Sequence, residues 1–359
     1  MTVDVITPDE LGPAELTAWR DFQRADPGLD SPFLAPEFTL AVGRERPGAR
    51  VAVLSDGTGE VGFFPFERHR LGLGVPIGEG LCDRQGLVHT PGLDWEPREL
   101  LRACGLQLWR FDHLAAGQWP FEHGVVHRGE SPVLDLREGF DTYLAGYRSR
   151  APQSAKSLDK KRRRLERRLG PVRLEFDDQD PRMLATLMRW KSGQYRDKNQ
   201  VDLFSRPWVV DLLDELRRTR APTCTGVLST LYAADRPIAV HLGLRSERVL
   251  HYWFSSFDPE VSAYSPGRML LMELARAAAD EDLDWLELGK GQEDYKQHVK
   301  STALTVTEGW ATRDTLPATV RRAQVESANR LRAAVADNPM LRDLALRTLR
   351  RFPRMWQGT

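Results

Sequence analysis

Apolar and polar positions alternate along this chain in two rhythms. In "ARVAVLSDGTGEVGFFPFERHR" two short runs rich in Val and Phe flank Asp56-Gly57-Thr58-Gly59, which predicts a strand, a glycine-rich turn and a second strand. "EPRELLRACGLQLWRFDHL" predicts a helix followed by a strand, and "SPVLDLREG" a later strand. The theme returns in "PTCTGVLSTLYAADRPIAVHLGLRSERVLHYWFSSFD", which reads as three strands with "AADRP" and "RSER" as turns. The weak likeness between the two strand-turn-strand segments suggests duplication.

The second rhythm is helical. In "YSPGRMLLMELARAAADED", steps of 100° place Leu270, Leu271, Leu274, Ala275 and Ala278 on one face and Arg268, Glu273, Arg276 and Asp280 on the other. Such a helix packs one side on a sheet, and "RVLHYWFSSFD" before it and "LDWLELG" after it supply the strands of a β-α-β unit. Between the halves, Tyr147, Ala151, Leu158, Leu165 and Leu169 fall near helical spacing. Lys156, Lys160 to Arg164, Arg167 and Arg168 surround them, and Gly170-Pro171 ends the run. This pattern fits a solvated connecting helix or a phosphate-binding surface. No groove-reading motif accompanies it, so a polyanionic substrate or a cofactor's phosphates suit it better than duplex nucleic acid. Beyond Arg313 the strand signals stop, and the rest reads as two basic amphipathic helices broken at Asn338-Pro339. These fit packing on the second unit or a partner subunit, or weak attachment to an anionic membrane surface.

Composition narrows the picture by exclusion. The 359 residues exceed one ordinary domain. Lys plus Arg and Asp plus Glu both total 51, so net charge argues for no class of partner. Cys82, Cys104 and Cys224 match no metal or redox spacing and read as ordinary thiols, and no metal is expected. The N-terminal "MTVDVITPDELGPAELTAWRDF" has no apolar h-region, and no run of 18 uncharged apolar residues occurs. A soluble cytoplasmic protein is expected, with peripheral attachment to the inner face of the membrane left open.

At the start of the amphipathic helix, Pro266 removes a donor that would be unpaired anyway, and Gly267 lets a ligand approach the backbone. The free N–H groups and positive dipole end, with Arg268 beside them, form an anion-binding geometry suited to a pyrophosphate; a plain helix-starting turn is the alternative.

From Asp258 through Tyr264, Ser265, Pro266 and Gly267 to Gly289, Gly291, Tyr295 and Lys296, the sequence resembles GNAT-superfamily acyltransferases associated with bacterial cellulose and exopolysaccharide biosynthesis. These are related to the FemAB peptidoglycan aminoacyl transferases. The shared pattern is an aromatic strand ending in Asp, a Tyr-Ser-Pro-Gly helix start, and an acidic strand running into Gly-x-Gly and Tyr-Lys. Two features depart from it: Glu287 stands where the family often has Asp, and the Gln/Arg-x-x-Gly-x-Gly/Ala phosphate signature is absent.

The resemblance implies an α/β (α+β) fold of two tandem GNAT-like units with mixed sheets flanked by helices. The expected units are a degenerate one at 1–138, an acyltransferase unit at 139–315 beginning with the basic linker helix, and a helical extension at 316–359. It also implies transfer of an acetyl or other acyl group from an acyl-CoA to an amine or hydroxyl, in polysaccharide or envelope precursor metabolism. A tRNA-dependent FemAB-like transferase is a rival, although the long coiled-coil arm of such enzymes is not visible. A non-catalytic accessory protein of a polysaccharide synthase is another.

Such a site holds a thioester between splayed strands, polarises its carbonyl with backbone N–H donors, removes a proton from the nucleophile and protonates the thiolate. The strand from His251 to Ser255 can provide donors. Glu287 alternates with Leu286 and Leu288 and is a candidate base acting through water, or a salt-bridged carboxylate. His241, on an adjacent predicted strand, is its competitor or a core histidine. Tyr295 is a candidate proton donor to the thiolate. Tyr264, Ser265, Pro266, Gly267, Arg268 and Lys296 are candidate donor-binding residues. Upstream, Trp190, Lys191, Tyr195 and Trp208 suit a lid over a small-molecule or saccharide acceptor, or a core.

Overall fold

The computed structural model describes residues 1–291, 293–316, 318–320 and 322–323. The two helices expected at the C-terminus therefore lie largely outside the described residues. The first half runs β1 (Thr2–Ile6), α1 (Pro13–Ala25), α2 (Pro36–Glu45), β2 (Ala49–Ser55), β3 (Glu60–Arg68), β4 (Leu73–Pro76), β5 (Val88–His89), α3 (Pro97–Ala103) and β6 (Leu108–Leu114). Next come β7 (Val125–Asp135), α4 (Gly139–Arg150) and α5 (Pro152–Leu169). The second half runs β8 (Val172–Glu175), α6 (Pro181–Asp197), α7 (Pro207–Arg218), β9 (Arg220–Ala221), β10 (Cys224–Ala233), β11 (Arg236–Arg245) and β12 (Val249–Phe257). It continues through α8 (Pro266–Asp280), β13 (Trp285–Glu287), α9 (Asp294–Val299) and β14 (Thr302–Thr312).

The duplication suggested by sequence is visible in the topology. In each half two helices precede three antiparallel strands, and a helix then crosses to a strand parallel to the third: β2-β3-β4, α3, β6 and β10-β11-β12, α8, β13. The strands that follow are exchanged between halves. β7, from the first half, pairs with β13, whereas β14, from the end of the second, lies between β6 and β7. One mixed sheet results, in the order β1-β2-β3-β4-β6-β14-β7-β13-β12-β11-β10-β8. The two halves, successive in chain order, are joined in space through β7 and β14.

The basic segment read as one helix is two, α4 and α5. Pro152 cannot donate to the preceding turn and keeps the residue before it out of the helical region, and Ala151 sits at φ −135°, ψ 59°. On α8, Leu270, Leu271, Leu274, Ala275 and Ala278 are all buried, as the 100° pattern requires, and Met269 and Met272 join them. They pack with Tyr143, Tyr147, Leu158 and Leu165 on one face of the second half's sheet. On the other face Leu184, Leu187, Leu212, Leu213 and Leu216 of α6 and α7 meet Phe33, Phe38 and Val42 of the first half. Covered on both faces, β13 is apolar throughout except for Glu287, which is itself buried. All three cysteines are free and buried.

Candidate active site

The site begins where β12 and β13 part. They pair in parallel only from Val249 to His251 against Trp285 to Glu287. β12 continues to Phe257, while the chain leaves β13 through Gly289 and Gly291, both with positive φ (69° and 155°). At this fork β12 carries a β-bulge. Leu242 faces Phe254 and Leu244 faces His251, so Tyr252 and Trp253 together oppose Gly243. The extra residue turns Tyr252 into the core under α8 and Phe254 into the core on the opposite face.

Gly243 makes the bulge possible, because a Cβ there would sit 2.4 Å from the His251 carbonyl oxygen and 2.6 Å from the His241 ring. Gly243→Ala is therefore expected to destabilise the fold by about 1–3 kcal/mol, the usual cost of overpacking, which urea unfolding checks.

The turn expected from sequence to bind an anion is the start of α8. Ser265 caps it in the left-handed conformation (φ 59°, ψ 52°) without a side-chain cap hydrogen bond, and Pro266 takes the first helical position. The Ser265 hydroxyl instead accepts a hydrogen bond from Lys161 Nζ at 2.7 Å. Arg168 donates to the Tyr264 hydroxyl at 3.3 Å, and this bond is the chief reason the Tyr264 phenol is shifted down from its ordinary value. Arg164 lies over the Tyr264 ring at 6.0 Å. The basic helix, in chain order only a linker, thus flanks the predicted phosphate site with Lys161, Arg164 and Arg168. Its Arg162 is paired with Glu166 and Glu273. Arg268 does not point to the helix start: its guanidinium donates to the Tyr147 hydroxyl and to Ser154, at the junction of α4 and α5. A Cβ on Gly267 would meet the Phe257 ring at 3.4 Å, ordinary contact, so packing alone does not require a glycine here.

The first half supplies the rest. Its own fork, where β4 and β6 pair over Leu73–Gly74 and Leu108–Trp109, is filled by its own chain: Gln85 bridges Leu114, and Ile77, Leu81 and Cys82 are buried. From this filling segment Arg84 and Asp83 reach the second fork. Arg84 donates to both oxygens of Glu287, at 2.8 and 3.0 Å. His251 Nε2 lies 3.2 Å from Glu287 Oε2 and 3.3 Å from Ser31 Oγ. Arg84, Glu287 and His251 are each at most 5% exposed. Asp83 Oδ2 stands 3.2 Å from where a Cβ on Gly289 would lie. Burial pushes the Asp83 carboxyl up, against the opposing pull of nearby His113, His251 and Lys296. His113 Nδ1 lies 3.0 Å from Asp112 Oδ1, and its Nε2 lies 3.8 Å from Asp83 Oδ1. Gln85 fixes this strand end, donating to Asp112 Oδ1 and accepting from the backbone N–H groups of Asp112 and His113.

The structure brings only some of the sequence candidates together. Glu287 is at the fork as the salt-bridged carboxylate. Lys296 is tucked under the glycine turn, with Nζ 3.4 Å from the Gly289 carbonyl and 3.1 Å from Glu293 Oε2. Tyr295 packs against the α8 core, and burial pushes its phenol up to about 12. Lys191 donates to the Ser255 carbonyl at 3.1 Å and lies over the Tyr195 ring at 5.7 Å, with Trp190 on the same helix. Burial lowers the Lys191 ammonium pKa. Trp208 sits apart, under Arg46 of the first half at 4.8 Å. His241 is a core residue, fully buried and stacked on Tyr252 at 4.8 Å; burial drives its imidazole down to about 3, against a smaller pull from the His251 carbonyl. Enclosed on every side, it presents no atom to a substrate, which does not fit the competing role given to it by position. Sequence reasoning missed Asp83, Arg84, Asp112 and His113, which lie far upstream in chain order, and His251, whose only signal was a polar residue in an aromatic strand. Among the described residues no group of three His, Cys, Asp or Glu side chains is arranged to hold a metal ion.

Comparison with known proteins bears on the fold. Residues 152–297 match the acetyltransferase (GNAT) domain family, which places α5, the bulged strand, α8 and the fork in one GNAT-fold domain. Among solved structures, FemX is 10% identical with a TM-score of 0.56, covering 86% of this chain and 96% of FemX. A conserved protein of unknown function from Bacteroides thetaiotaomicron is 9% identical with a TM-score of 0.54, covering 86% of this chain and all of that one. A tandem GNAT protein from the clavulanic acid biosynthesis pathway is 9% identical with a TM-score of 0.49, covering 87% and 98%. No curated protein matches in sequence.

Proposed function

We propose that the protein transfers an acyl group from a coenzyme A thioester to an amine or hydroxyl of an acceptor used in polysaccharide or cell-envelope precursor metabolism. The observation that carries this reading is the bulged fork: β12 leaves β13 after three paired positions, and α8 begins beyond its far end. A strand parted from its neighbour offers backbone donors and acceptors to an extended ligand, as in β-augmentation. The pyrophosphate would be held by the start of α8 at Gly267 with Lys161, Arg164 and Arg168 beside it. Lys191, Tyr195 and Trp190 would line the acceptor side. The envelope assignment rests on the resemblance of the Asp258 to Lys296 segment to the exopolysaccharide-associated and FemAB transferases. No described helix is long and apolar enough to cross a membrane.

Thermal shift with a series of acyl-CoAs tests the donor. A ligand at 100 times its dissociation constant stabilises the fold by about 2.7 kcal/mol. Stabilisation by charged tRNA and not by any acyl-CoA would move the protein to the aminoacyl-tRNA-dependent class. The basic helix is tested by replacing Lys161, Arg164 and Arg168 with Ala. A hydrogen bond to a charged group contributes about 1.5–3 kcal/mol, so calorimetry should show coenzyme A affinity falling at least about tenfold. An unchanged dissociation constant in the folded variant would detach α5 from the donor site.

A further inference from the structure

We propose that Asp83, contributed by the first half, is the general base that removes the acceptor's proton, with His113 as its positioning residue. This rests on the acyl-CoA reading above. Glu287, the carboxylate suggested by sequence, is engaged on both oxygens by Arg84 and approached by His251, an arrangement that holds two halves together. Asp83 is the neighbouring carboxylate, and among the described residues it has no such bidentate partner. Its Oδ2 borders the Gly289 turn at the mouth of the fork, and its side chain is 27% exposed, open enough to meet an acceptor.

Behind it stands an oriented imidazole. His113 donates Nδ1–H to Asp112 Oδ1 and holds Nε2 3.8 Å from Asp83 Oδ1, an ion pair when the ring carries both protons. Asp112 is suited to this duty: its burial works to raise its pKa, but hydrogen bonds from His113 and Gln85 together with the charges of His113 and Arg110 outweigh that, so it is held below the ordinary carboxylate value. Asp83 differs in direction. Desolvation dominates there and raises it, the direction that makes a carboxylate a stronger base. The charged and titratable groups around it are Arg84 on its own segment, Asp112 and His113 on β6, His251 on β12, Glu287 on β13 and Lys296 on α9.

The step balances within the two substrates. The acceptor nitrogen, or oxygen, forms a bond to the thioester carbonyl carbon while its proton passes to Asp83. The carbonyl re-forms as the carbon–sulfur bond breaks, and the proton held on Asp83 is returned to the departing thiolate, leaving free coenzyme A thiol and acylated acceptor.

The test uses the full chain, an acyl-CoA that binds by calorimetry, and glucosamine and hydroxylamine as amine probes, with thiol release followed by a thiol-reactive dye. Asp83 must be ionised to accept a proton, so kcat/KM should rise with pH through an acidic limb above the ordinary aspartate range. Asp83→Asn should lower kcat/KM by about 10²-fold or more and leave only the limb set by the probe amine's own ionisation, with coenzyme A affinity kept within about threefold. Formate should restore part of the rate to Asp83→Ala, which a structural role would not allow, and His113→Gln should move the limb without removing it. A pH profile in folded Asp83→Asn unchanged from wild type, or no rescue by formate, overturns the assignment and leaves the acyl-CoA reading standing. If the wild-type chain releases no thiol with either probe from any acyl-CoA, both fall together.

Discussion

Glu287→Gln is expected to lose about 3–5 kcal/mol of folding stability, the range for removing one partner of a buried ion pair. Arg84 is 5% exposed and donates to both oxygens of Glu287, so neutralising the carboxylate leaves a guanidinium in the interior without this counter-charge. Glutamine keeps the shape and can still accept one hydrogen bond, which sets the loss toward the lower end. Arg84→Met should be costly in the same way, because it strands Glu287 beside His251. The double replacement Arg84→Met with Glu287→Leu should recover much of the loss, since a well-packed apolar pair avoids the desolvation of both charges. Urea unfolding of Arg84→Met, Glu287→Leu and the double variant forms the cycle that isolates the pair. A Glu287→Gln protein within about 1 kcal/mol of wild type, yet with turnover down about 10²-fold, would return the base role to Glu287.

The second large effect is in the pH dependence of stability. His241 is wholly buried and its imidazole is held at about 3 in the folded chain, against an unfolded value near 6.5. The unfolded chain therefore binds the proton more readily, and stability is fully present above about pH 6.5. As pH falls toward the folded value the unfolded state is progressively favoured, and the contribution is lost. For this one group linkage gives a loss of about 2 kcal/mol between pH 7 and pH 5. His241→Phe keeps an aromatic ring to stack on Tyr252 and removes the titration. Unfolding measured at pH 7, 6 and 5 should show a flatter pH dependence in the variant by about that amount. Equal slopes in the two proteins would mean that His241 is protonated, or hydrated, in the native state.

Much of the fold was legible in the sequence because local periodicity reports which face is buried. The α8 stripe from Leu270 to Ala278, the β10-β11-β12 meander and the β2-β3 hairpin all follow from residue spacing and turn chemistry. Ser265-Pro266-Gly267 marked the helix start for the same reason: proline and glycine act on their own backbone, so their meaning does not depend on distant partners. Pro152 carried such a local signal too, and it divides the basic segment into α4 and α5.

What the sequence by itself determined, then, was the strands of the two strand-turn-strand segments, the amphipathic helix α8 with its β-α-β unit, and the proline-glycine turn that starts it. The tertiary structure alone decided which charges face one another. The exchange of β7 and β14, the filling of the first fork, and the delivery of Asp83 and Arg84 to the second depend on contacts between segments about two hundred residues apart. Lys161 approaches Ser265 across 104 positions. No periodicity encodes such pairings, because a buried ion pair is fixed by the desolvation that both partners share, and that is settled only once the two halves have closed around it.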